Sequence, residues 1–342
     1  MTEDMNILIL SCGTRNKIVQ YFRKELNGKG KVLATDCSQL APALYEADEY
    51  FIVPRMDDEN YLKKILSICK EKKVKAVFSL IDPELMLLAE NKEKFLEIGT
   101  IPVISSIELI ELSFNKYEMY RFLVNNNFNA VKSYIDKEVF YKDVELNIIE
   151  YPVFVKPVDG SASNNINLIS SKEEVEVMFK QYRNLMIQEY MKESEYGIDV
   201  YIDEFSNDTV AIFAKEKLKM RAGETDKSVS VKDEKLLYLV ANFVKIAGFQ
   251  GVIDIDVFKK NNEYYISEVN PRFGGGYPHA YECGVNIPKM IINNFLYNEA
   301  NINTIGMYEE GKYMMKYNEI LITDQEEMIT KQGNKTMKEV LI

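Results

Sequence analysis

Short apolar runs of a strand's length recur along the first third of the chain: Asn6-Ile7-Leu8-Ile9-Leu10, Val32-Leu33-Ala34-Thr35-Asp36, Tyr50-Phe51-Ile52-Val53, Ala76-Val77-Phe78-Ser79-Leu80 and Pro102-Val103-Ile104. Runs without polar alternation are the mark of parallel strands covered on both faces. Between them Tyr61, Leu62, Ile65, Leu66 and Cys69 repeat at helical spacing. Strand and helix in alternation predict a doubly wound parallel α/β unit. Its first turn, residues 11–16, holds one glycine, Gly13, where a dinucleotide site needs three for close approach to a pyrophosphate. Asp36 stands at about the distance of a ribose ligand, but the turn does not support NAD.

Around Ser113 the pattern changes. Ser113 is a candidate cap for a helix with Met119, Phe122 and Leu123 on its apolar face and Lys116 in its first turn. A cation there lies against the helix dipole, so it is either solvated or aimed at an anion. In the strand over residues 151–157, Val153 and Val155 share one face and Phe154 and Lys156 the other. The loop that follows, with Gly160, Ser161, Ala162 and Ser163, leaves backbone N–H groups accessible and can fold over phosphate oxygens, although an ordinary turn has the same composition. Ser171 to Glu174 form a capping box before a helix that turns Val175, Met178, Phe179 and Tyr182 inward. Leu185 to Met191 then read as a strand, followed by Glu193, Glu195 and a second strand over residues 198–202.

Lys215, Lys217, Lys219 and Arg221 recur at period two, which places four positive charges on one face of a strand. Residues 223–230 beside it are rich in small hydroxyl and acidic groups able to order around a ligand. Solvation and an anionic substrate both account for such a face. A helix with Leu237, Val240, Ala241 and Val244 ends at Gly248. Then come two apolar runs, Gly251 to Phe258 and Tyr265 to Arg272, joined by Lys259-Lys260-Asn261-Asn262-Glu263, which predict a β-hairpin. If the turn pairs the strands as its length suggests, Asp256 and Glu268 come opposite each other with Asn270 beside them. Three hard oxygen ligands on one surface suit Mg²⁺ awaiting phosphates. Phe273-Gly274-Gly275-Gly276 follows, where successive glycines permit close backbone approach, and then a helix with Ile287, Met290, Ile291 and Phe295.

Composition narrows the classes. A chain of 342 residues with 46% hydrophobic and 28% charged residues is an ordinary folded protein with room for two or three domains. Its net charge of -11 opposes nucleic acid and anionic lipid, so the expected partners are small molecules, and a homodimer is compatible with this. No apolar run approaches a membrane span and the start, Met1-Thr2-Glu3-Asp4, is acidic where a secretory peptide is basic, so a cytoplasmic location is expected. Cys12, Cys37, Cys69 and Cys283 are scattered without CxxC spacing and read as reduced thiols. The one histidine, His279, lies in a suggestive loop, but neither zinc chemistry nor a Ser-His or Cys-His nucleophile is supported.

Taken in order, Lys116, Val155-Lys156-Pro157, the small-residue loop, Gln188-Glu189-Tyr190-Met191, Asp256 and Glu268-Val269-Asn270-Pro271-Arg272 resemble the ATP-grasp superfamily. Within it the chain resembles a single synthetase module of the carbamoyl phosphate synthase large subunit and the carboxylate-amine ligases near it. The resemblance covers nearly the whole chain. It implies ATP and magnesium ions as cofactors, with Mn²⁺ as a substitute metal. Lys116 and Lys156 match lysines that contact the ATP phosphates, and Gly160, Ser161, Ala162 and Ser163 match the phosphate loop. Gln188, Glu189, Tyr190 and Met191 match the hinge whose backbone reads adenine, and Glu195 matches the acid on the ribose hydroxyls. Asp256, Glu268 and Asn270 match the metal ligands, and Arg272 matches the arginine that steadies the transferring phosphoryl group. Two departures stand out: Asp256 is shorter than the glutamate or glutamine frequent there, and the phosphate loop lacks a second glycine.

The expected fold is therefore α/β, with α+β character in the grasp part. A doubly wound parallel α/β domain over residues 1–113 precedes a small lobe with the phosphate loop over 114–187 and a large lobe with the metal site over 188–323. Residues 324–342 read as a loosely attached polar tail. The expected activity is ATP-dependent carboxylate-amine ligation through an acyl phosphate, with Lys156 and Arg272 as the catalytic pair and Lys215, Arg221, Gly274, Gly275 and Gly276 at the substrate. Two alternatives are a kinase-like phosphorylation of a carboxylate or carbamate and a silent ATP-binding module. One module is present where a full carbamoyl phosphate synthase has two and a glutaminase partner, so carbamoyl phosphate synthesis by this chain alone is not expected.

Overall fold

The computed structural model describes residues 5–160 and 166–333. The first sheet contains β1 (Asn6–Leu10), β2 (Val32–Asp36), β3 (Glu49–Ile52), β4 (Val74–Ser79) and β5 (Ile101–Pro102), all parallel, in the order β3-β2-β1-β4-β5. Its central strand β1 is buried along its whole length. Alternate residues explain why: Leu8 and Leu10 join a core with Tyr61, Ile65 and Phe95, while Ile7 and Ile9 join a second core on the other face. That second core also holds Tyr201, Phe213, Phe273, Tyr277, Ile287 and Ile291 from the C-terminal half. The parallel sheet and the C-terminal half are thus welded by apolar burial, at roughly 25 cal/mol per Å² of area removed from water.

Four strands make a small sheet, β6 (Ser133–Tyr134), β7 (Val153–Pro157), β8 (Asn167–Ile169) and β9 (Leu185–Glu189), in the order β6-β9-β7-β8. Phe140, Val153, Val155, Val175 and Ile187 form its core. Six more strands complete the molecule: β10 (Glu195–Ile202), β11 (Thr209–Arg221), β12 (Glu224–Val231), β13 (Gly251–Lys260), β14 (Glu263–Asn270) and β15 (Tyr313–Met315), in the order β14-β13-β10-β11-β12-β15. One face of this sheet, with Ile198, Val200, Ile212, Ile253, Ile255 and Val257, packs on the helix Glu234–Ala247. That helix ends, as expected, on a left-handed Gly248.

Several local expectations change. The cap before Lys116 is Asn115, whose side chain accepts from the N–H groups of Tyr117 and Glu118, while Ser113 closes the preceding helix and donates to the Leu109 carbonyl. Residues 224–231 are strand β12, with Thr225, Asp226, Ser228 and Ser230 buried, and do not form an open substrate loop. A helix over Gln325–Lys331 stands in the first part of the loose tail expected over residues 324–342, of which residues 334–342 lie outside the described residues. It docks on the parallel sheet: Lys331 Nζ donates to the Tyr45 carbonyl at 2.7 Å and Gly333 N–H to the Tyr50 carbonyl at 2.9 Å. Among the described residues no helix is long and apolar enough to cross a membrane.

Candidate active site

The hairpin β13–β14 is built by two compensating irregularities. Its turn is two residues, Asn261 and Asn262, both at positive φ, tighter than the five-residue connection the sequence predicts. A two-residue turn alone would pair Asp256 with Ser267 and turn Glu268 toward the core. One extra residue at Ser267 shifts the register between Asp256 and Val257, and beyond it Asp256 pairs with Glu268 and Asp254 with Asn270. All four polar side chains then share the face opposite the helix Glu234–Ala247.

Two of the three expected metal ligands are unengaged. Among the described residues neither the Glu268 carboxylate nor the Asn270 amide has a hydrogen-bond or ion-pair partner in the protein. Both line a small cavity together with Asp82 and Gly160, the last described residue of the phosphate loop. Ser161, Ala162 and Ser163 lie outside the described residues. Partnerless hard oxygens in a part-buried setting fit Mg²⁺. Asp256 differs: Lys217 Nζ lies 2.5 Å from its Oδ1 and 2.8 Å from Glu195 Oε1. Burial pushes the Asp256 carboxyl up against the pull of the Lys217 ammonium, and the Lys217 ammonium is itself held charged by Asp256, Glu195 and Asp254. Among the described residues no group of three or more His, Cys, Asp or Glu side chains is placed to hold a metal ion.

Lys156 faces this hairpin from β7. It is 6% exposed and, among the described residues, makes no ion pair. Burial pulls its ammonium below the ordinary lysine value, Lys116 adds like-charge repulsion, and Glu268 and Asp256 act in the opposite sense. An unpaired buried cation needs an anion to offset its desolvation. Lys116 reaches the same place from the first turn of its helix and donates to the Gly160 carbonyl. Strand pairing puts Phe154 and Lys156 beside Gln188 and Met186. The Gln188 amide donates to Ser133 Oγ at 3.0 Å, Glu189 pairs with Lys260 at 2.6 Å, Tyr190 packs edge-on against Phe154, and Met191 is buried.

The four-cation face predicted on β11 does not exist as a face. Lys215 is 1% exposed and bound to Asp199 at 2.6 Å, and Lys217 is held by Glu195 and Asp256. Register shifts around Lys219 break the period of two, Lys219 is exposed, and Arg221 pairs with Asp226 at 2.9 Å. Neighbouring strands thus neutralise the cations from within. The glycine run covers Lys215 and, on the hairpin, Asp254. A Cβ on Gly274 would lie 2.4 Å from Asp254 Oδ1 and one on Gly276 2.5 Å from Lys215 Cε. Among the described residues the N–H groups of Gly274, Gly275 and Gly276 donate to no protein acceptor.

Arg272 sits at the junction with the parallel sheet, with Nε 3.0 Å from Asp82 Oδ1, Nη2 donating to Asp82 Oδ2 at 3.2 Å, and Nη1 3.5 Å from Asp254 Oδ2. Burial opposes its charge, but Asp82 and Asp254 outweigh that and hold the guanidinium firmly protonated. Beside it Arg15 pairs with Glu224 at 2.9 Å, and Lys316 takes the other Glu224 oxygen at 2.8 Å. These three line a 1310 Å³ cleft that runs from Gly274 and Gly275 to the surface between the helix Asn16–Leu26 and residues 313–322. Asp82, Arg15, Glu224 and Lys316 were not singled out as site residues from the sequence, and Lys217 only as one cation of the β11 face. Each acquires meaning only from a partner far along the chain. Asp36 is absorbed by its own loop, accepting from the Gly13 and Ser38 N–H groups. His279 is buried between Ser228 Oγ and the Lys312 carbonyl; burial and the nearby Lys215 charge lower its pKa to about 4 against the contrary pull of the Lys312 contact.

Comparison with known proteins bears on the domains that carry these residues. A PylC-like N-terminal domain matches residues 7–104, and an ATP-grasp domain matches residues 114–276, the span that holds both lysines, the hairpin and Arg272. The chain is 26% identical over 308 residues to a carbamoyl-phosphate synthase of Methanobrevibacter smithii, covering 84% of this chain and 80% of that protein. A D-alanine–D-alanine ligase B of Clostridium tetani is 26% identical over 190 residues, 49% of this chain and 52% of the relative. Among solved structures, the biotin carboxylase domain of the Hydrogenobacter thermophilus 2-oxoglutarate carboxylase, in complex with MgADP, ADP and bicarbonate, superposes with a TM-score of 0.70 at 18% identity, covering 90% of this chain and 73% of that one. N5-carboxyaminoimidazole synthetase of Staphylococcus aureus gives 0.68 at 18% identity, with 88% and 79% covered. The chain therefore carries an ATP-grasp domain over residues 114–276, with a PylC-like N-terminal domain ahead of it.

Proposed function

We propose that the protein joins a small carboxylate to an amine at the expense of ATP, through an acyl phosphate. The observation that carries this reading is the facing of an unpaired buried Lys156 and the unengaged Glu268 and Asn270 across the two lobes. Lys116, Lys156 and the loop beginning at Gly160 bind the phosphates. Residues 188–191 form the adenine wall, and Glu195 is oriented toward the ribose by Lys217. Glu268 and Asn270, with the second oxygen of Asp256, are the metal-binding groups. Mg²⁺ held there, with Mn²⁺ as a substitute, offsets charge on the phosphates.

Each step follows from charge and geometry. A carboxylate oxygen attacks the γ-phosphorus in line, the bond to the ADP oxygen breaks, and Lys156 and Arg272 offset the negative charge shared during transfer. The amine nitrogen then attacks the acyl carbon, and the tetrahedral oxyanion meets Arg272 and the free N–H groups of Gly274, Gly275 and Gly276. Collapse expels phosphate, and the nitrogen loses its proton. No side chain needs to bond to the substrate, which agrees with Cys12 and Cys69 being buried thiols whose pKa burial pushes up. The cleft past Arg15, Glu224 and Lys316 supplies the entrance for substrates, with Lys215 as a support of the glycine run and Arg221 at the rim. The test is ADP release with and without pooled amines, with hydroxylamine added to trap an acyl phosphate. Amine-dependent ADP release together with a hydroxamate is the expected result. The likeness to a carbamoyl-phosphate synthase favours a second reading, phosphorylation of a carboxylate or carbamate without ligation, and amine-independent ADP release selects it.

A further inference from the structure

Asp82 takes Arg272 by both its oxygens, yet the helix Asp82–Glu90 that carries it begins without a side-chain cap: Ile81 stands at the capping position and Pro83 lies in the first turn. An uncapped first turn leaves N–H groups unmet and frays easily unless something else pins it. We propose that Glu84 is a positioning residue for Arg272, pinning the first turn of this helix so that Asp82 holds the guanidinium on its aim. The proposal rests on the ligase reading only in giving Arg272 a part in the reaction.

Three observations converge on Glu84. Its side chain is fully buried, and among the described residues no cation pairs with it. A buried carboxyl without a cation is costly unless hydrogen bonds satisfy it. Three hydroxyls do so. Ser11 Oγ donates to Oε1 at 2.6 Å, the Tyr61 hydroxyl donates to the same oxygen, and Ser79 Oγ donates to Oε2 at 2.5 Å.

The second observation is where those hydroxyls stand. Ser11 follows β1, Ser79 ends β4, and Tyr61 opens the helix Tyr61–Glu71. Strands β1 and β4 are neighbours in the middle of the parallel sheet. One side chain thus ties the first turn of the Asp82 helix to two central strands and a second helix. Asp82 shares that turn, so its carboxylate inherits the anchorage.

The third is the backbone of Ser11, which stands at φ 45° although it carries a Cβ. Glycine adopts this conformation freely. A serine held there costs conformational energy and gains the hydroxyl that reaches Glu84, and such a cost points to a use for the group.

The test separates aim from stability. Glu84→Gln keeps the volume but offers one acceptor oxygen in place of two, so the three hydroxyls cannot all be met. We expect kcat for amine-dependent ADP release to fall about 5- to 50-fold while the Kd for ATP stays within about twofold. The Arg272 Nε–H, followed by NMR of isotope-labelled arginine and assigned by its loss in Arg272→Lys, is expected to exchange with solvent at least about tenfold faster. In an Asp82→Asn background the same substitution is expected to cost kcat less than about twofold, because the link is already cut. Losses that multiply in the double variant, or unchanged exchange at Arg272, overturn the proposal. Should Glu84→Gln fail to fold, Ser11→Gly decides, since it removes the hydroxyl and relieves the left-handed backbone. A lower kcat at an equal or higher Tm is expected there, and an unchanged kcat overturns the proposal. A wild type whose ADP release ignores amine overturns the ligase reading instead, and the exchange measurement then decides the positioning of Arg272 by itself.

Discussion

Asp82, at the start of the helix Asp82–Glu90 in the parallel α/β unit, grips Arg272 just past the end of the hairpin β13–β14 through contacts of 3.0 and 3.2 Å. The guanidinium that the ligase reading places on the transferring phosphoryl group is thus aimed by a carboxylate from the other half of the molecule. Because the two halves share an apolar core through Ile7, Phe273 and Ile291, that aim is rigid. Asp82→Asn removes the charged grip and leaves Arg272 with the 3.5 Å contact to Asp254 and its own bond to the Phe273 carbonyl at 3.2 Å. We expect kcat to fall about 10- to 100-fold while the Kd for ATP stays within about twofold, since a misaimed group costs the chemical step more than binding. Steady-state kinetics with nucleotide titration measure both, and equal losses in the two would place Asp82 in nucleotide binding.

Lys156 and Glu268 separate binding from chemistry. Charge-assisted contacts to phosphate contribute about 1.5–3 kcal/mol each, so Lys156→Ala should weaken ATP by about tenfold or more. The loss shows directly in calorimetric titration. Glu268→Gln keeps the shape and, because the carboxylate has no protein partner, should leave Tm nearly unchanged. Turnover should drop by orders of magnitude in the same variant. A Glu268→Gln enzyme with wild-type rates would mean the metal lies elsewhere.

Local patterns made most of the scaffold legible from the sequence. Buried apolar runs gave the parallel strands, Gly248 the end of a helix, and the polar positions of the hairpin the face of Asp256, Glu268 and Asn270. The basic strand shows where such reading stops. Period two finds Lys215 and Lys217 on one strand but is blind to Asp199, Glu195 and Asp256, the acids on the strands beside it. Arg15 with Glu224 and Asp82 with Arg272 were hidden for the same reason, since each pair joins residues about 200 positions apart. The bulge at Ser267 left a trace, two polar residues in succession, that only the pairing register makes readable.

Burial gives His279 a measurable effect on stability. Its folded pKa is about 4 against an ordinary value of 6.5, so between these the unfolded chain binds the extra proton and the folded one does not. Stability must therefore be full above pH 6.5 and fall as the pH drops toward 4. The linkage relation puts the loss between pH 7 and pH 5 at about 2 kcal/mol from this residue. Urea titrations at the two pH values check it. In His279→Gln, which can still donate to the Lys312 carbonyl and accept from Ser228, that part of the pH dependence should vanish.

At Gly276 the backbone approaches a buried charge closely without a positive φ to account for the glycine. A Cβ there would stand 2.5 Å from Lys215 Cε and 3.2 Å from the Thr225 side chain. Lys215 cannot swing aside, because it is 1% exposed and its ammonium is bound to Asp199 at 2.6 Å. Gly276→Ala must therefore lift the loop off the sheet or break the ion pair. Lifting the loop is the cheaper course, about 1–3 kcal/mol for overpacking, against about 3–5 kcal/mol for a stranded buried charge. The expected result is a modest fall in Tm with a large fall in kcat, because the N–H groups of residues 274–276 leave the position where the oxyanion forms. Retained kcat with the same fall in Tm would show that the glycines serve packing alone and that the oxyanion is stabilised by Arg272 without them.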